Sequence, residues 1–374
     1  MQTPKAGRKA RPRDTVINVE VSPVAPTPAQ TGGPSATPPQ APRGTSVALD
    51  QWRGLALVLV LISHGFYFTG RVHGIGRVGV NLFFFISGVL VFRSLAKPDP
   101  RGSLSLAKNF WKRRLRRLYP ALATYLLAML PLVWLLQNHT SVPRSDVISY
   151  LRGLPPALAY AVNYFGQYGT MAQGHLWSLS CEMQFYLVAP VIFLLGGQNE
   201  SRRKWVWGTL LAALLVGGFV GPFFHRGGKY HFEQAVWPMM LGFFCEYRKA
   251  WFQKLPATWT TLLVRASLAF FVVSLGLMLL GGQMLKLVVA SGALVLVPCF
   301  LAYLHRREMP GLFGRLLAWL GERTYSIYLW QQPFTICGYL PALWHPVGAI
   351  LSAVVGGIWF RFFERPFLSG GRKQ

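Results

Sequence analysis

The 374-residue chain is poor in charged side chains, and acidic ones are the scarcest. Only 12 residues are aspartate or glutamate, and charged residues make up 13% of the chain, against roughly a quarter in soluble domains. This excludes an ordinary soluble enzyme, which needs a charged surface to face water. The hydrophobic share of 52% and the mean hydropathy of +0.34 predict a body that faces lipid.

Cysteine is also scarce and shows no ligand-type spacing. The four cysteines are far apart in apolar surroundings: Cys181, Cys245, Cys299 and Cys337. Neither a zinc site nor a disulfide framework is indicated, so no metal is expected and the thiols should be small buried hydrophobes. No phosphate-binding Walker loop and no soluble catalytic domain can be found.

Basic residues, by contrast, are abundant, and the formal net charge is +26. They cluster between apolar segments rather than lining one polar domain, which is typical of the cytoplasmic loops of membrane proteins. Nucleic acid is therefore not expected as a partner. The lipid bilayer is expected, with anionic headgroups attracting the basic loops.

Apolar runs predict an all-α, polytopic transmembrane helical bundle of about ten spans, at 53–69, 78–94, 118–137, 176–196, 205–222, 235–247, 261–281, 285–304, 322–340 and 344–362. A spanning helix needs about 20 residues, so the sixth run is short. The Pro-started stretch 154–168 suits an interfacial or re-entrant segment better than an eleventh span. The basic clusters then fall on the side of the N-terminal tail, which predicts that both termini are cytoplasmic.

Three regions follow from composition. Residues 1–46 are basic and Pro-rich without an apolar segment, which predicts a disordered cytoplasmic tail rather than a signal peptide; an organelle transit peptide is the alternative. Residues 47–367 form the transmembrane domain, and residues 368–374 form a short basic cytoplasmic tail.

Two ionisable residues lie in the first run, where a polar group is costly and hence a functional candidate. Eleven residues separate Arg53 from His64, which is about three turns plus 20°, so both should lie on one helix face about 16 Å apart. Arg53 could instead be a snorkelling anchor, and His64 could make a hydrogen bond that packs helices.

A carboxylate, Glu182, lies in the fourth run at a depth similar to that of His64. The two could form a base and its orienting partner, or share a proton. A buried ion pair that holds the bundle together is the structural alternative. His175 precedes Glu182 by seven residues and should share its face.

Two other groups of polar residues could have a functional role or a purely structural one. Asn81 and Ser87 lie in the second run, where small and polar residues often only pack helices. A basic cluster precedes the third run, at Lys112, Arg113, Arg114, Arg116 and Arg117. It could be a topology determinant, or it could bind a phosphate-bearing anion from the cytosol.

Five motifs in order resemble the acyltransferase-3 family, which comprises membrane O-acyltransferases of cell-surface glycans and related acceptors. The motifs are Asp50-Gln51-Trp52-Arg53-Gly54 with His64, Gly79-Val80-Asn81 with Ser87-Gly88, Arg113-Arg114-Leu115-Arg116-Arg117 with Tyr119-Pro120, His175-Leu176-Trp177 with Glu182, and Tyr325-Ser326 with Phe363-Glu364-Arg365-Pro366. The likeness runs from about residue 48 to 367.

The resemblance implies an acyl-CoA donor, usually acetyl-CoA, and a hydroxyl acceptor on a glycan or lipid-linked glycan. It implies catalytic roles for His64 and Glu182, with His64 as the base. Donor-binding candidates are Arg53, Arg114, Arg117 and Ser87, and acceptor-binding candidates are His175, Trp177 and Asn81. The expected location is the bacterial inner membrane.

Three positions depart from the family pattern. Gln331 stands where members often have histidine, and an amide cannot transfer a proton by titrating. Met183 replaces a second acid, and Val89 replaces a phenylalanine. An extracellular hydrolase-like domain that some members carry is not among the 374 residues, so acyl transfer is expected to finish within the membrane body.

A transporter or flippase is the rival prediction. In that case His64 and Glu182 would form a proton relay, and substrate would move without consumption of a thioester. The inverted repeat of many transporters is not evident in the sequence.

Overall fold

The structure is a computed structural model that describes residues 46–66, 73–97, 99–139, 146–197, 199–224, 231–279, 293–337, 341 and 344–369. These residues belong to one compact unit, Pro42–Gln374. The predicted tails, 1–46 and 368–374, lie almost entirely outside the described residues. Part of the predicted run 285–304 also lies outside them.

The described residues form helices and connecting turns, without a strand, so the all-α prediction is confirmed. The helices are α1 Val47–Gly65, α2 His73–Leu95, α3 Ser103–Leu136, α4 Val147–Leu158, α5 Val162–Phe165, α6 Met171–Gly174, α7 Leu176–Leu195, α8 Glu200–Phe224, α9 Phe232–Ala235, α10 Trp237–Tyr247, α11 Lys249–Phe252, α12 Ala257–Leu279, α13 Leu296–Leu304, α14 Gly311–Glu322, α15 Thr324–Thr335, α16 His345–Trp359 and α17 Arg365–Ser369. A π-helical turn, Phe360–Glu364, joins α16 to α17.

Six helical segments of the described residues are long and apolar enough to cross a membrane: Val47–Gly65, Gly74–Leu95, Ser103–His139, Met171–Leu195, Ala257–Leu277 and His345–Phe367. The chain is an integral membrane protein. The total of about ten spans and the cytoplasmic termini stay predictions. The stretch 154–168 forms the end of α4, the single turn α5 and a 3₁₀ turn, each too short to span.

Close helix contacts at glycine hold α1 and α2 in place. Helix α1 packs on α2 and α14, and α2 also packs on α10. A Cβ atom added at Gly54 would lie 2.0 Å from the carbonyl oxygen of Leu317, and one added at Gly88 would lie 1.9 Å from that of Met239. Small residues allow such backbone approach where lipid supplies no hydrophobic drive between helices.

Helix α3 is 34 residues long and contains Pro120 and Pro131, so the basic cluster and the apolar run form one continuous element. The loop before it is fixed by Asp99, which accepts hydrogen bonds from Ser105 and Asn109 of α3 and from Arg101. These bonds, from Arg101 first, lower the pKa of Asp99 to about 2. The carboxylate is therefore ionised throughout the neutral range and holds the start of α3.

Candidate active site

Two neighbouring cavities of the bundle contain predicted site residues, and the first is rich in arginine. Its polar lining comprises Arg53 of α1, Ser87 of α2, Arg114 and Arg117 of α3, Ser178, Glu182 and Tyr186 of α7, and Thr324, Tyr325 and Tyr328 of α15. The space between these atoms is about 680 Å³, counted to the open mouth. We call it the arginine cavity. Three guanidinium groups and one carboxylate line it, and two of the guanidinium groups also face acids outside the lining: Arg53 lies 3.5 Å from Asp50, and Arg117 lies 3.6 Å from Glu364. Guanidinium groups are the donors that suit an anionic ligand.

The helical period of α3 sorts the basic cluster into two sets. Arg114 and Arg117, one turn apart, turn toward the arginine cavity and are partly buried, whereas Lys112, Arg113 and Arg116 are exposed. The guanidinium of Arg114 lies 4.7 Å from the ring centroid of Tyr186 and 5.3 Å from that of Phe110. Stacking of this kind fixes the plane of the guanidinium and presents its N–H groups along one edge.

Arg117 is held by an acid from the far end of the chain. Its Nε lies 3.6 Å from Oε1 of Glu364, a residue with no exposed side-chain surface. The other carboxylate oxygen of Glu364 accepts a 2.7 Å hydrogen bond from the hydroxyl of Ser326. This buried carboxylate fixes Arg117 at the cavity wall, while a quarter of the arginine side chain stays accessible.

Glu182 accepts hydrogen bonds from two hydroxyl groups in the arginine cavity. Ser87 Oγ donates to Glu182 Oε1 at 2.5 Å, and the hydroxyl of Tyr186, one turn along α7, donates to the same oxygen. Glu182 and Ser87, which were predicted for different roles, are thus brought into direct contact.

The second cavity contains His64. It is lined by Val60, Ser63, His64, Gly76, Arg77, Val80, His175, Trp177, Tyr328 and Gln332, and the space between these atoms is about 520 Å³ to its open side. We call it the histidine cavity. It takes residues from α1, α2, α7 and α15, and His175 directly precedes α7.

The orientation of His64 is set by α15. Its Nδ1 contacts Oε1 of Gln331, a fully buried side chain. An amide oxygen can only accept a hydrogen bond, so Nδ1 carries the proton and Nε2 carries the lone pair. In this tautomer Nε2 is the basic atom of His64.

His175 has the same arrangement with the next glutamine. Its Nδ1 donates to Oε1 of Gln332 at 3.1 Å, and the same oxygen accepts the backbone N–H of His175 at 3.2 Å. The ring is 1% exposed. Since Nδ1 carries the proton, Nε2 of His175 is also an acceptor.

The cavities adjoin each other, because Val80 and Tyr328 line both. The predicted residues divide between them. His64, His175 and Trp177 line the histidine cavity, whereas Arg53, Ser87, Arg114, Arg117 and Glu182 line the arginine cavity. Asn81 is buried and is not among the residues that line either. Glu182 therefore contacts Ser87 and Tyr186 in one cavity while His64 faces the other, and their direct pairing stays a prediction.

Sequence reasoning did not assign site roles to Arg77, Tyr186, Gln331 or Glu364. Tyr186 was within reach, because it lies four residues after Glu182 on one helix. Gln331 had been noted only as a departure from the family pattern. Arg77 directly precedes the second apolar run, 78–94, and a basic residue at the border of such a run is ordinarily an anchor.

Comparison with known proteins gives one family and several bacterial relatives. The model of an acyltransferase domain matches residues 46–362. A protein of Bacillus subtilis (strain 168), provisionally named as the peptidoglycan O-acetyltransferase YrhL, is 28% identical over 361 residues, covering 86% of this chain. The O-acetyltransferase OatA of Staphylococcus aureus (strain NCTC 8325 / PS 47) is 24% identical over 360 residues, covering 87% of this chain.

The chain spans somewhat more than half the length of these relatives, 55% of the first and 57% of the second. No solved structure matches it.

Proposed function

The chain belongs to the acyltransferase-3 family, and from that premise we propose that it is an O-acetyltransferase of a bacterial inner membrane. It would move an acetyl group from acetyl-CoA to a hydroxyl of a glycan or lipid-linked glycan. One observation carries the proposal: a cavity walled by three arginines adjoins a cavity that contains an oriented histidine.

The arginine cavity is the proposed donor site. Coenzyme A carries several phosphates, and Arg53, Arg114 and Arg117 offer fixed N–H donors for them. Ser87 and Glu182 line the same cavity, where they would border the pantetheine arm. The predicted orientation, with basic loops in the cytoplasm, opens this cavity toward the cytosolic pool of acyl-CoA.

The histidine cavity is the proposed acceptor site. His64 Nε2 would take the proton of the acceptor hydroxyl as its oxygen attacks the thioester carbon. The C–O bond forms, the C–S bond breaks, and the thiolate of coenzyme A leaves. Gln331 keeps His64 in the basic tautomer, and His175 and Trp177 would hold the sugar through a hydrogen bond and a ring face.

The glycan acceptor is supported by the relatives, one of which is named for peptidoglycan. Because the relatives are considerably longer than this chain, their whole activity is not carried over. Family membership does not favour the transporter prediction.

The test uses the full chain, purified into lipid nanodiscs with a soluble fragment of cell-wall glycan and isotope-labelled acetyl-CoA. We expect free thiol to be released together with labelled, alkali-labile ester on the glycan. His64→Ala should lose both, because no base remains at the acceptor. His139→Ala, an exposed histidine in a 3₁₀ turn, is the matched control and should keep both.

If folded His64→Ala protein still formed the ester at nearly the wild-type rate, His64 would not be the base. Movement of a glycan across the bilayer without any thiol release would overturn the transferase proposal in favour of the transporter.

A further inference from the structure

A third cavity lies between the peripheral helix α12 and the body of the bundle. Its walls include Trp52 of α1, Val264 and Leu268 of α12, Pro298 and Leu301 of α13, and Arg307 of the turn that follows α13. The space between its lining atoms is about 500 Å³, counted to its open side. We call it the lateral groove. Among the described residues, it shares none with the lining of the arginine cavity or the histidine cavity.

The lateral groove opens toward the bilayer, because α12 is a lipid-facing helix. It is long and apolar enough to span a membrane, and it packs chiefly on α13 and on the 3₁₀ turn before α13. Its other faces are open: Leu262 is 56% exposed and Val272 is 62% exposed. Leu268, in the wall of the groove, is itself 38% exposed. A lipid acyl chain can therefore enter from the side, without passing through the bundle.

The groove is polar at one end and apolar at the other. As successive spans of the predicted topology, α12 and α13 run in opposite directions. Thr260, near the start of α12, thus lies at the same end as His305 and Arg307, which follow α13, whereas Leu268 and Pro298 lie at the other end. The eight residues from Thr260 to Leu268 rise about 12 Å. One leaflet's hydrocarbon layer is roughly 15 Å deep, so the groove matches the length of one acyl chain.

The turn at the polar end is held in place by backbone contacts. Arg306 has a φ of 52°, in the left-handed region that residues other than glycine rarely adopt. The N–H of Arg307 donates to the carbonyl oxygen of Ala302 at 2.8 Å, which is the bond of a Schellman helix end. Two residues later, the side-chain amide of Gln51 on α1 donates to the carbonyl oxygen of Met309 at 2.9 Å and accepts its N–H at 2.7 Å. The backbone is therefore fixed on both sides of Arg307.

The charge of this turn favours an anionic headgroup. Residues 305–308 contain two arginines against one glutamate, so a positive charge remains even with a neutral His305. Among the described residues that line the groove, His305 and Arg307 are basic and none is acidic. A guanidinium group binds the oxygens of a phosphate. A zwitterionic headgroup would bring an amine toward the same arginines, so an anionic phospholipid suits the turn better.

We propose that the lateral groove binds one anionic phospholipid of the leaflet on the side of the basic loops. An acyl chain would lie between α12 and α13, and the phosphate would lie at Arg307 and His305. This site is separate from the two cavities of the proposed active site and does not depend on the transferase reaction. Trp52 in its wall directly precedes Arg53 of the arginine cavity, so the lipid would contact the helix that carries a donor-binding candidate.

General attraction of anionic lipid to basic loops is the competing explanation. It would enrich such lipid around the whole basic side of the protein, and every exposed arginine there would contribute alike. A bound lipid instead places its acyl chain against residues that the bulk bilayer does not reach. Pro298 and Leu301 are such residues, because both line the groove and both are buried.

The experiment uses the full chain in phosphatidylcholine nanodiscs that contain a small fraction of a photoreactive lipid. The probe is phosphatidylglycerol or phosphatidylcholine with a diazirine at the same acyl position, and mass spectrometry maps the crosslinked residues. The readout is labelling of Pro298–Ala302, divided by labelling of Ile350, an exposed residue of α16. We expect phosphatidylglycerol to give at least about fivefold more than phosphatidylcholine, the effect of one basic residue near the headgroups.

Two pairs of variants test the two ends of the groove. Arg307→Gln should lower the preference about fivefold, whereas Arg315→Gln, which removes an exposed arginine of α14 outside the lining, should change it less than about twofold. Leu268→Trp fills the apolar end and should abolish labelling of Pro298–Ala302 by both lipids. Leu263→Trp, at an exposed position of the same helix outside the lining, should keep it. Each ratio is measured within one variant, so partial loss of folded protein cancels.

Three results would overturn the proposal. If Ile350 is labelled but Pro298–Ala302 is not, protein rather than lipid fills the groove. If both lipids label Pro298–Ala302 equally, the groove takes an acyl chain without selecting an anionic headgroup. If Arg307→Gln and Arg315→Gln lower the preference equally, the enrichment reflects general attraction to the basic side of the protein.

Discussion

The side-chain oxygen of Gln331 accepts a hydrogen bond from Nδ1 of His64, across 267 positions of sequence. Gln332, the next residue, accepts from Nδ1 of His175. Two consecutive amides of α15 thus set the tautomers of two histidines in one cavity. Such partners of a catalytic imidazole fix the ring and the atom that carries the lone pair.

The first prediction concerns this pair of amides. Gln331→Leu keeps the approximate volume and removes the acceptor, so His64 loses its preference for the Nδ1–H tautomer. We expect kcat for acetyl transfer to fall by roughly 10- to 100-fold, the usual effect of removing an orienting partner, with KM for acetyl-CoA unchanged. Steady-state kinetics of thiol release measure both constants.

Gln332→Leu is the matched control, because it releases His175 instead. Its effect should appear chiefly as a raised KM for the acceptor. Equal kcat values for Gln331→Leu and the wild type would show that Gln331 does not orient the base.

The second prediction concerns the face of α3 that lines the arginine cavity. Replacing Arg114 or Arg117 with glutamine removes a charged donor, and each charge-assisted hydrogen bond contributes about 1.5–3 kcal/mol. We expect coenzyme A to bind roughly 10- to 100-fold more weakly, measured by calorimetry at fixed ionic strength.

The exposed neighbours on the same helix are the controls. Arg113→Gln and Arg116→Gln remove the same charge and should change the affinity for coenzyme A less than about threefold, because only a screened long-range attraction is lost. If substitutions on the cavity face and on the exposed face of α3 weakened coenzyme A binding equally, the arginine cavity would not be the donor site.

Of the nine predicted site residues, all but Asn81 line the two cavities, but sequence reasoning did not predict the contacts between them. The helical period placed Arg53 and His64 on one face of α1, and both line cavities. Depth along a span, however, says nothing about direction around the bundle. Glu182 and His64 were predicted to pair because of similar depth; the packing of α7 on α2 brings Glu182 to Ser87, and the pairing with His64 stays a prediction. The partner of His64 comes from α15, and no local pattern connects residues so distant in sequence.

The same limit applies to Glu364. It was visible as part of a C-terminal motif, but its place beside Arg117 depends on the packing of the last helices against α3. The fold class, in contrast, follows directly from composition. A chain with so few charged residues must be embedded in the bilayer, where helices satisfy the backbone hydrogen bonds within each segment.

The third prediction concerns the pair formed by Glu364 and Arg117. Glu364→Gln keeps the shape and the contact with Ser326 but removes the negative charge that faces Arg117. Breaking a fully buried pair costs about 3–5 kcal/mol, and the partial exposure of Arg117 reduces this to about 1–3 kcal/mol through solvent screening. We expect the thermal midpoint of unfolding, measured by tryptophan fluorescence in detergent, to be several degrees lower than that of the wild type.

A double-mutant cycle distinguishes the ion pair from general packing. If the pair carries the effect, Glu364→Gln should cost much less stability in an Arg117→Gln background than alone. Additive losses would mean that Glu364 contributes through contacts other than Arg117.

The last prediction concerns the contact that positions α2, and with it Ser87 and Arg77. Gly88→Ala would place a methyl group 1.9 Å from the carbonyl oxygen of Met239, and a backbone atom cannot move aside as a flexible side chain can. The helices must separate, at a cost of about 1–3 kcal/mol for overpacking, which outweighs the gain of about 1 kcal/mol that alanine gives over glycine within a helix. Gly276→Ala is the matched control, since nothing lies within 4 Å of a Cβ atom added there.

We expect Gly88→Ala to lower both the thermal midpoint and the monodisperse fraction in size-exclusion chromatography. Gly276→Ala should leave both unchanged or slightly higher. A Gly88→Ala protein as stable as the Gly276→Ala control would mean that α2 and α10 do not approach as closely as this packing requires.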